Sequence, residues 1–227
     1  MKQQNNKQLY DNALQQLHDF FRQHGEVVDY QKGEKLECEG EQTQWLAFVE
    51  KGCFKHMVHS YGNRRDRVLE FSLEGELAGD FPRMLHGSPS QVTIEAVMPC
   101  RVLRVNGEQL LRFFNQSLQT KELRNTITDY FIILAQEDVI GIYYTPRERY
   151  ELLFQRCPAI VGGIPQSVIS SYLGITPKKL STFRGEVESG DYPPPFACIS
   201  KDFYPQRVSF GYCRGYYKVE DILSLLI

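Results

Sequence analysis

The sequence predicts an α+β protein. An N-terminal β-roll of the jelly-roll type is followed by a long helix, then by a C-terminal helix-turn-helix domain of winged-helix character with an extra terminal segment. Three observations predict it. Short alternating apolar runs broken by Gly and Pro fill residues 26–105, the texture of many short strands closing on one core. A proline-free helical pattern runs from beyond Gly107 to about Tyr144. The stretch Gln166–Arg184 meets, position by position, the needs of two short helices crossing at a tight turn.

Composition limits what such a chain can be. Its 227 residues suffice for one large domain or two modest ones, and 42% hydrophobic with 24% charged is the balance of an ordinary globular protein. The longest apolar stretch, Tyr130–Ala135, is too short to span a bilayer, and no membrane partner is expected. Met1–Asp11 lacks the apolar centre of a secretory signal, so the expected location is cytoplasmic. Cys38, Cys53, Cys100, Cys157, Cys198 and Cys213 include no Cys-x-x-Cys pair, which argues against a zinc site and an iron–sulfur cluster. Net charge is −2, so contact with a polyanion must come from a local basic face.

Taken in order, Leu9, Ala13, Leu17 and Phe20/Phe21 recur at helical spacing until His24-Gly25 ends the pattern. Gln44–Val49 and Arg101–Val105 are typical of the short runs that follow. Asn63–Arg67 has the composition of a hairpin tip: a solvated loop, or a contact for RNA polymerase or a partner subunit. Leu123, Ile127, Tyr130 and Leu134 then mark the long helix, apolar on nearly every face around Tyr130–Ala135. One side packs on the roll and the other on a second copy, which makes these four the expected dimerisation residues and the chain a homodimer. The alternative is a single buried helix. The expected division is 1–116 for the roll and its leading helix, 117–144 for the connecting helix and 145–227 for the rest.

Thr145-Pro146-Arg147-Glu148 is a capping box with proline at the first helical position. The helix it opens stops at Cys157-Pro158, and Val161-Gly162-Gly163 is read as a turn before Pro165 opens another. Ile169, Leu173, Ile175, Leu180 and Phe183 supply a small core, Ser170 is small where helices cross, and Gly174 occupies the turn position that needs positive φ. Thr176 caps the second helix and Pro177 starts it. In such a motif the N-terminal half of the second helix meets base edges, while nearby amides and cations hold phosphates. The expected DNA-binding residues are therefore Gln166, Thr176, Pro177, Lys178, Lys179, Ser181, Thr182 and Arg184.

Several of these segments resemble the Crp/Fnr (cyclic-AMP receptor protein and fumarate-nitrate regulator) superfamily, especially its Bacteroidetes members. The likeness rests on Lys32–Leu36 leading to Glu39-Gly40-Glu41, on Phe48–Gly52, on Gly79-Asp80-Phe81, and on Pro165–Ser181. It implies a cyclic-nucleotide-binding-like roll on a dimerisation helix, followed by a DNA-binding domain that reads a palindromic operator on double-stranded DNA. It also implies an effector cassette at Gly79, Asp80, Ser90 and Gln91. In nucleotide-binding members an arginine neutralises the cyclic phosphate. Its place falls at about Ser90, with Gln91 next, so the resemblance argues against cyclic AMP and for an unknown small-molecule effector or none. The family's iron–sulfur sensors carry an N-terminal cysteine cluster, and no cysteine precedes Cys38. Haem stays open through His18, His24, His56, His59, His86, Met57 and Met84, although His56 and His59 should face opposite sides of a strand.

No catalytic residues are expected: the sequence has no metal-spaced His pair with a carboxylate, no nucleophile elbow and no phosphate loop. The readings in competition are an effector-controlled DNA-binding dimer, a sensor or interaction module without DNA binding, and a cupin-like enzyme. Residues 185–227, with Pro193–Pro195, seven aromatics from Phe196 to Tyr217 and a closing Val219–Leu226 pattern, are expected to fold back on the C-terminal domain or to reach across the dimer.

Overall fold

The computed structural model describes residues 2–60, 65–156 and 158–188, with side-chain surroundings given except at 2–7, 60, 65, 137, 140, 158–160 and 186–188. The leading helix is α1 (Lys2–His24). Ala13, Leu14, Leu17, Phe20 and Phe21 are buried along one face, whereas Leu9, expected on it, is 53% exposed. The helix stops at Gly25, whose N–H donates to the Phe21 carbonyl at 2.7 Å.

Eight strands follow: β1 (Glu26–Tyr30), β2 (Lys35–Glu37), β3 (Trp45–Lys51), β4 (Cys53–Ser60), β5 (Arg65–Leu73), β6 (Leu77–Ala78), β7 (Thr93–Ala96) and β8 (Cys100–Asn106). They form two antiparallel four-stranded sheets, ordered β1-β8-β3-β6 and β2-β7-β4-β5. Alternating residues meet in the roll's interior, among them Leu36, Ala47, Val49, Phe54, Ile94 and Val102. The chain passes between sheets at Gly52, with φ 96° and no room for a Cβ beside Pro99 and Cys100. Of the predicted hairpin tip Asn63–Arg67, residues 63 and 64 lie outside those described, and Arg65–Arg67 open β5.

Helices cover the other face of the first sheet. They are α2 (Phe81–His86), α3 (Gly107–Phe114) and α4 (Leu118–Gly141). Together with α1 they build a second core around Leu46, Phe48, Phe81, Leu103, Leu110 and Phe114. The break before α4 is made by Ser117 and Thr120, whose side chains accept from each other's backbone N–H at 3.1 and 3.0 Å.

Leu123 and Ile127 belong to this second core and are buried within the single protomer. That corrects their assignment to a subunit interface: the periodicity identifies an apolar stripe, and the chain's own roll covers it. Tyr130 lies near Tyr10 of α1, ring centroids 6.1 Å apart, and Leu134 is half-buried. The open apolar surface lies elsewhere, at Ile132 and Val139 and, just past the helix end, at Ile142 (72% exposed) and Tyr143 (88%).

Four helices complete the described chain: α5 (Pro146–Arg156), α6 (Pro158–Gly163), α7 (Gln166–Leu173) and α8 (Pro177–Glu188). The capping box at α5 closes in both directions, Thr145 N–H to Glu148 Oε2 at 2.7 Å and Glu148 N–H to Thr145 Oγ1 at 3.3 Å. Residues 158–163, read as leading into a Val161–Gly163 turn, are instead a short helix, because Pro158 at its first position is preorganised for one. These helices share a core with the roll, in which Val68, Phe71, Leu73 and Val97 meet Tyr150, Leu153, Ile169, Leu173 and Leu180. Arg156 fastens the contact, donating to Glu76 Oε2 at 2.6 Å, Glu76 Oε1 at 3.2 Å and the Phe71 carbonyl at 2.9 Å. The segment 189–227 lies outside the described residues, and with it the expectations for the aromatic tail.

Candidate functional site

Two places gather the residues singled out above. The first is the junction of α7 and α8. Gly174 takes φ 69° and ψ 30°, and its N–H and that of Ile175 return to the carbonyls of α7, closing a left-handed cap. Ser170 is buried where α7 packs, as its size requires. Thr176 Oγ1 accepts from the Lys179 N–H at 3.4 Å, capping α8. Leu180 is fully buried, which turns the opposite face outward: Thr176, Pro177, Lys178, Lys179, Ser181 and Thr182 are all exposed. Gln166 is exposed at the start of α7.

Arg184 departs from the group. Its Nη2 donates to the Val161 and Ile164 carbonyls, each at 3.4 Å, so the guanidinium ties α8 to the end of α6. It therefore stands apart from the exposed residues of the binding set. The sequence shows a cation near a recognition face, but not that carbonyls at the end of α6 and just beyond it receive its Nη2.

The second place is the turn before α2. Gly79 has φ 146°, and a Cβ there would come within 2.9 Å of the Leu46 side chain and the Trp45 carbonyl. Asp80 caps α2 through Oδ1 on the Arg83 N–H at 3.4 Å. Its Oδ2 accepts from the Gln91 N–H at 3.1 Å and lies 3.2 Å from Ser90 Oγ. The single Ser90 proton is shared with the Val92 carbonyl at 2.9 Å. The structure thus brings Gly79, Asp80, Ser90 and Gln91 together, with donors of the cassette already engaged by a carboxylate.

One residue of this place escaped sequence reasoning. Glu37 is buried on β2, and its Oε2 accepts from the Asp80 N–H at 3.0 Å. Burial pushes its carboxyl up to about 7, against the Asp80 N–H bond that lowers it and with the Asp80 charge adding to the rise. The signal was masked by a register shift between Lys35 and Glu37, which buries Leu36 and Glu37 together.

Elsewhere, Glu70, His56 and Ser72 line up, with His56 Nδ1 3.3 Å from Glu70 Oε1 and Nε2 2.8 Å from Ser72 Oγ. The arrangement has the outline of a hydrolytic relay with its last proton facing the wrong way. Ser72 is 4% exposed and donates to the Leu77 carbonyl at 2.8 Å, so it accepts from His56. His56 is buried and His59 exposed, on opposite faces of β4 as expected. Met84 is buried in the second core, while His24 and His86 are exposed. Among the described residues, no cluster of three or more His, Cys, Asp or Glu is arranged to hold a metal, and no helix is long and apolar enough to cross a membrane.

No curated protein matches the sequence. FixK2 from Bradyrhizobium japonicum superposes with a TM-score of 0.57 at 18% identity, covering 74% of this chain and 86% of that one. A Silicibacter pomeroyi protein assigned as a cAMP-binding regulatory protein gives 0.57 at 20% identity, covering 77% and 81%. CLP of Xanthomonas campestris, a c-di-GMP responsive global regulator, gives 0.53 at 12% identity, covering 77% and 91%. At such identities the likeness is one of fold. Residues 27–117 match the cyclic nucleotide-binding domain family, the whole of the roll together with α3.

Proposed function

We propose that the chain is a sequence-specific, DNA-binding transcription regulator acting as a cytoplasmic homodimer, in which the roll controls the helix-turn-helix formed by α7 and α8. The observation that carries this reading is the α7–α8 junction. Gly174 at φ 69° and buried Leu180 together present Thr176 to Thr182, including Lys178 and Lys179, as one open face at a helix N-terminus. Such a face suits the major groove. Solved neighbours named as regulators share the fold, which supports the same reading. Dimerisation is assigned to the open apolar surface of α4 and its end, at Ile132, Val139 and Ile142. Asp80 in the cassette, without an arginine at Ser90 or Gln91, points to an effector other than cyclic AMP.

Selection from a random duplex pool tests the reading. The expected product is a palindrome with half-site centres about one helical turn (~34 Å) apart, bound with an affinity that falls steeply with salt. Lys178→Ala or Thr182→Ala should change base preference, and Lys179→Ala should weaken all sites alike. Failure to enrich any sequence, with and without cell extract as a source of effector, would leave a module that works through protein contacts. Calorimetry should show no micromolar binding of cyclic AMP.

A further inference from the structure

Glu37 is 7% exposed, and one of its carboxyl oxygens has no need of more than it has: Oε2 holds the Asp80 N–H. The other, Oε1, is buried with no hydrogen-bond partner. An ionised carboxylate in that position desolvates an anionic oxygen, which is costly, and the Asp80 and Trp45 N–H groups and the Ser90 hydroxyl offset only part of that cost. The groups facing it are the Asp80 carboxylate from the turn before α2, the Ser90 hydroxyl from the loop after α2 and the Trp45 backbone from β3. On its own strand and just beyond stand Lys35, Cys38 and Glu41, and Ile94 pairs with it on β7. Two carboxylates therefore meet at the start of α2, and the charge acting on Glu37 is negative.

We infer that the buried Glu37 carboxyl, held on the Asp80 N–H, is a proton-binding site that couples the acidity of the medium to the seating of α2 and, through α2, to α4. The inference rests on reading Gly79–Gln91 as the effector cassette, and makes the proton an effector of that site. With the proton on Glu37, Asp80 holds the Arg83, Ser90 and Gln91 donors undisturbed. Loss of that proton puts a second charge beside the first in a water-poor place, and the strain falls on the first turn of α2. The next residue, Phe81, is stacked on Phe131 of α4, with centroids 4.6 Å apart and planes at 18°. Movement of α2 is thus passed to the helix whose far surface is open to a second subunit.

The sign follows from burial. Burial pushes the Glu37 carboxyl from its ordinary value near 4.5 up to about 7, so its stabilising contribution is complete below 4.5 and is lost as pH rises through about 7.

The experiment uses the full chain with 13C-labelled glutamate carboxyls, free of DNA and added ligand, titrated from pH 5 to 8.5 by NMR. One carboxyl resonance, missing in Glu37→Gln, should titrate near neutrality and carry the Phe131 ring resonances with it. In parallel, the unfolding equilibrium constant of the wild type should rise at least tenfold across that range, while Glu37→Gln stays flat and Asp80→Asn moves the midpoint down. A Glu37 resonance titrating in the ordinary carboxylate range overturns the inference. Phe131 shifts that persist unchanged in Glu37→Gln, or in the wild type do not follow the Glu37 midpoint, also overturn it. If Glu37→Gln does not fold, the wild-type titration and Asp80→Asn still decide. A chain that shows the coupling but selects no DNA refutes the regulator reading alone.

Discussion

Two glycines with positive φ separate two kinds of necessity. At Gly174, φ is 69° and a Cβ would meet nothing within 4 Å, so replacement by alanine costs only the left-handed backbone, about 1 kcal/mol. At Gly52, φ is 96° and the same Cβ would lie 2.6 Å from the Pro99 carbonyl and 2.7 Å from Cys100 Sγ, so overpacking adds to strain and the cost rises to roughly 3 kcal/mol or more. Urea denaturation of Gly174→Ala and Gly52→Ala should rank them in that order, and equal losses would show that the Gly52 turn relaxes. Gly174 was legible in the sequence because its requirement is local: the turn, the cap at Thr176 and the proline after it sit within four residues. Glu37 was not, because a bulge breaks the alternation that would have marked a charge at an inward position. Arg184 was half legible, its charge visible and its carbonyl partners not.

The same division runs through α4. The sequence shows a long apolar helix, and its period is consistent with two opposed contacts, but a period does not say which stripe meets which surface. The structure assigns Leu123 and Ile127 to the roll and leaves Ile132 and Val139 open. Substitutions on the two stripes should therefore fail in different ways. Ile127→Ala leaves a cavity in the second core and should cost about 2–5 kcal/mol of protomer stability. Val139→Asp puts a charge on an already exposed site, so it should leave protomer stability within about 0.5 kcal/mol and halve the mass seen by sedimentation. A dimer that survives Val139→Asp and is lost with conservative changes at Leu123 would return the interface to the stripe first read from the pattern.

At the scale of the molecule, the change from strand to helical texture made the roll and the helical end visible as separate regions, yet the two are not separate cores. Val68, Phe71 and Leu73 come from a strand that sequence reading assigned wholly to the roll, and they complete the packing of α5 and α7. Contacts between residues some eighty to a hundred positions apart leave no mark on local periodicity. The Val68 N–H, on an edge strand, donates to Ser171 Oγ at 3.3 Å, so the helices also cover an edge that would otherwise be open. The consequence is cooperative unfolding. Trp45, the sole tryptophan, reports on the roll, while far-UV circular dichroism is dominated by helices, so the two signals should trace one coincident transition. Arg156 and Glu76 are the polar part of that coupling, and both are mostly shielded from water, at 21% and 11% side-chain exposure. Arg156→Met takes the guanidinium from the Glu76 carboxylate, which keeps the Leu73 N–H at 2.9 Å, and should cost about 2–3 kcal/mol. Adding Glu76→Gln should restore part of the loss, giving a coupling energy of at least about 1 kcal/mol in a double-mutant cycle. In Arg156→Met the helical signal should begin to fall before the Trp45 signal. Coincident curves there, with the stability loss present, would mean that the shared apolar core alone joins the helices to the roll.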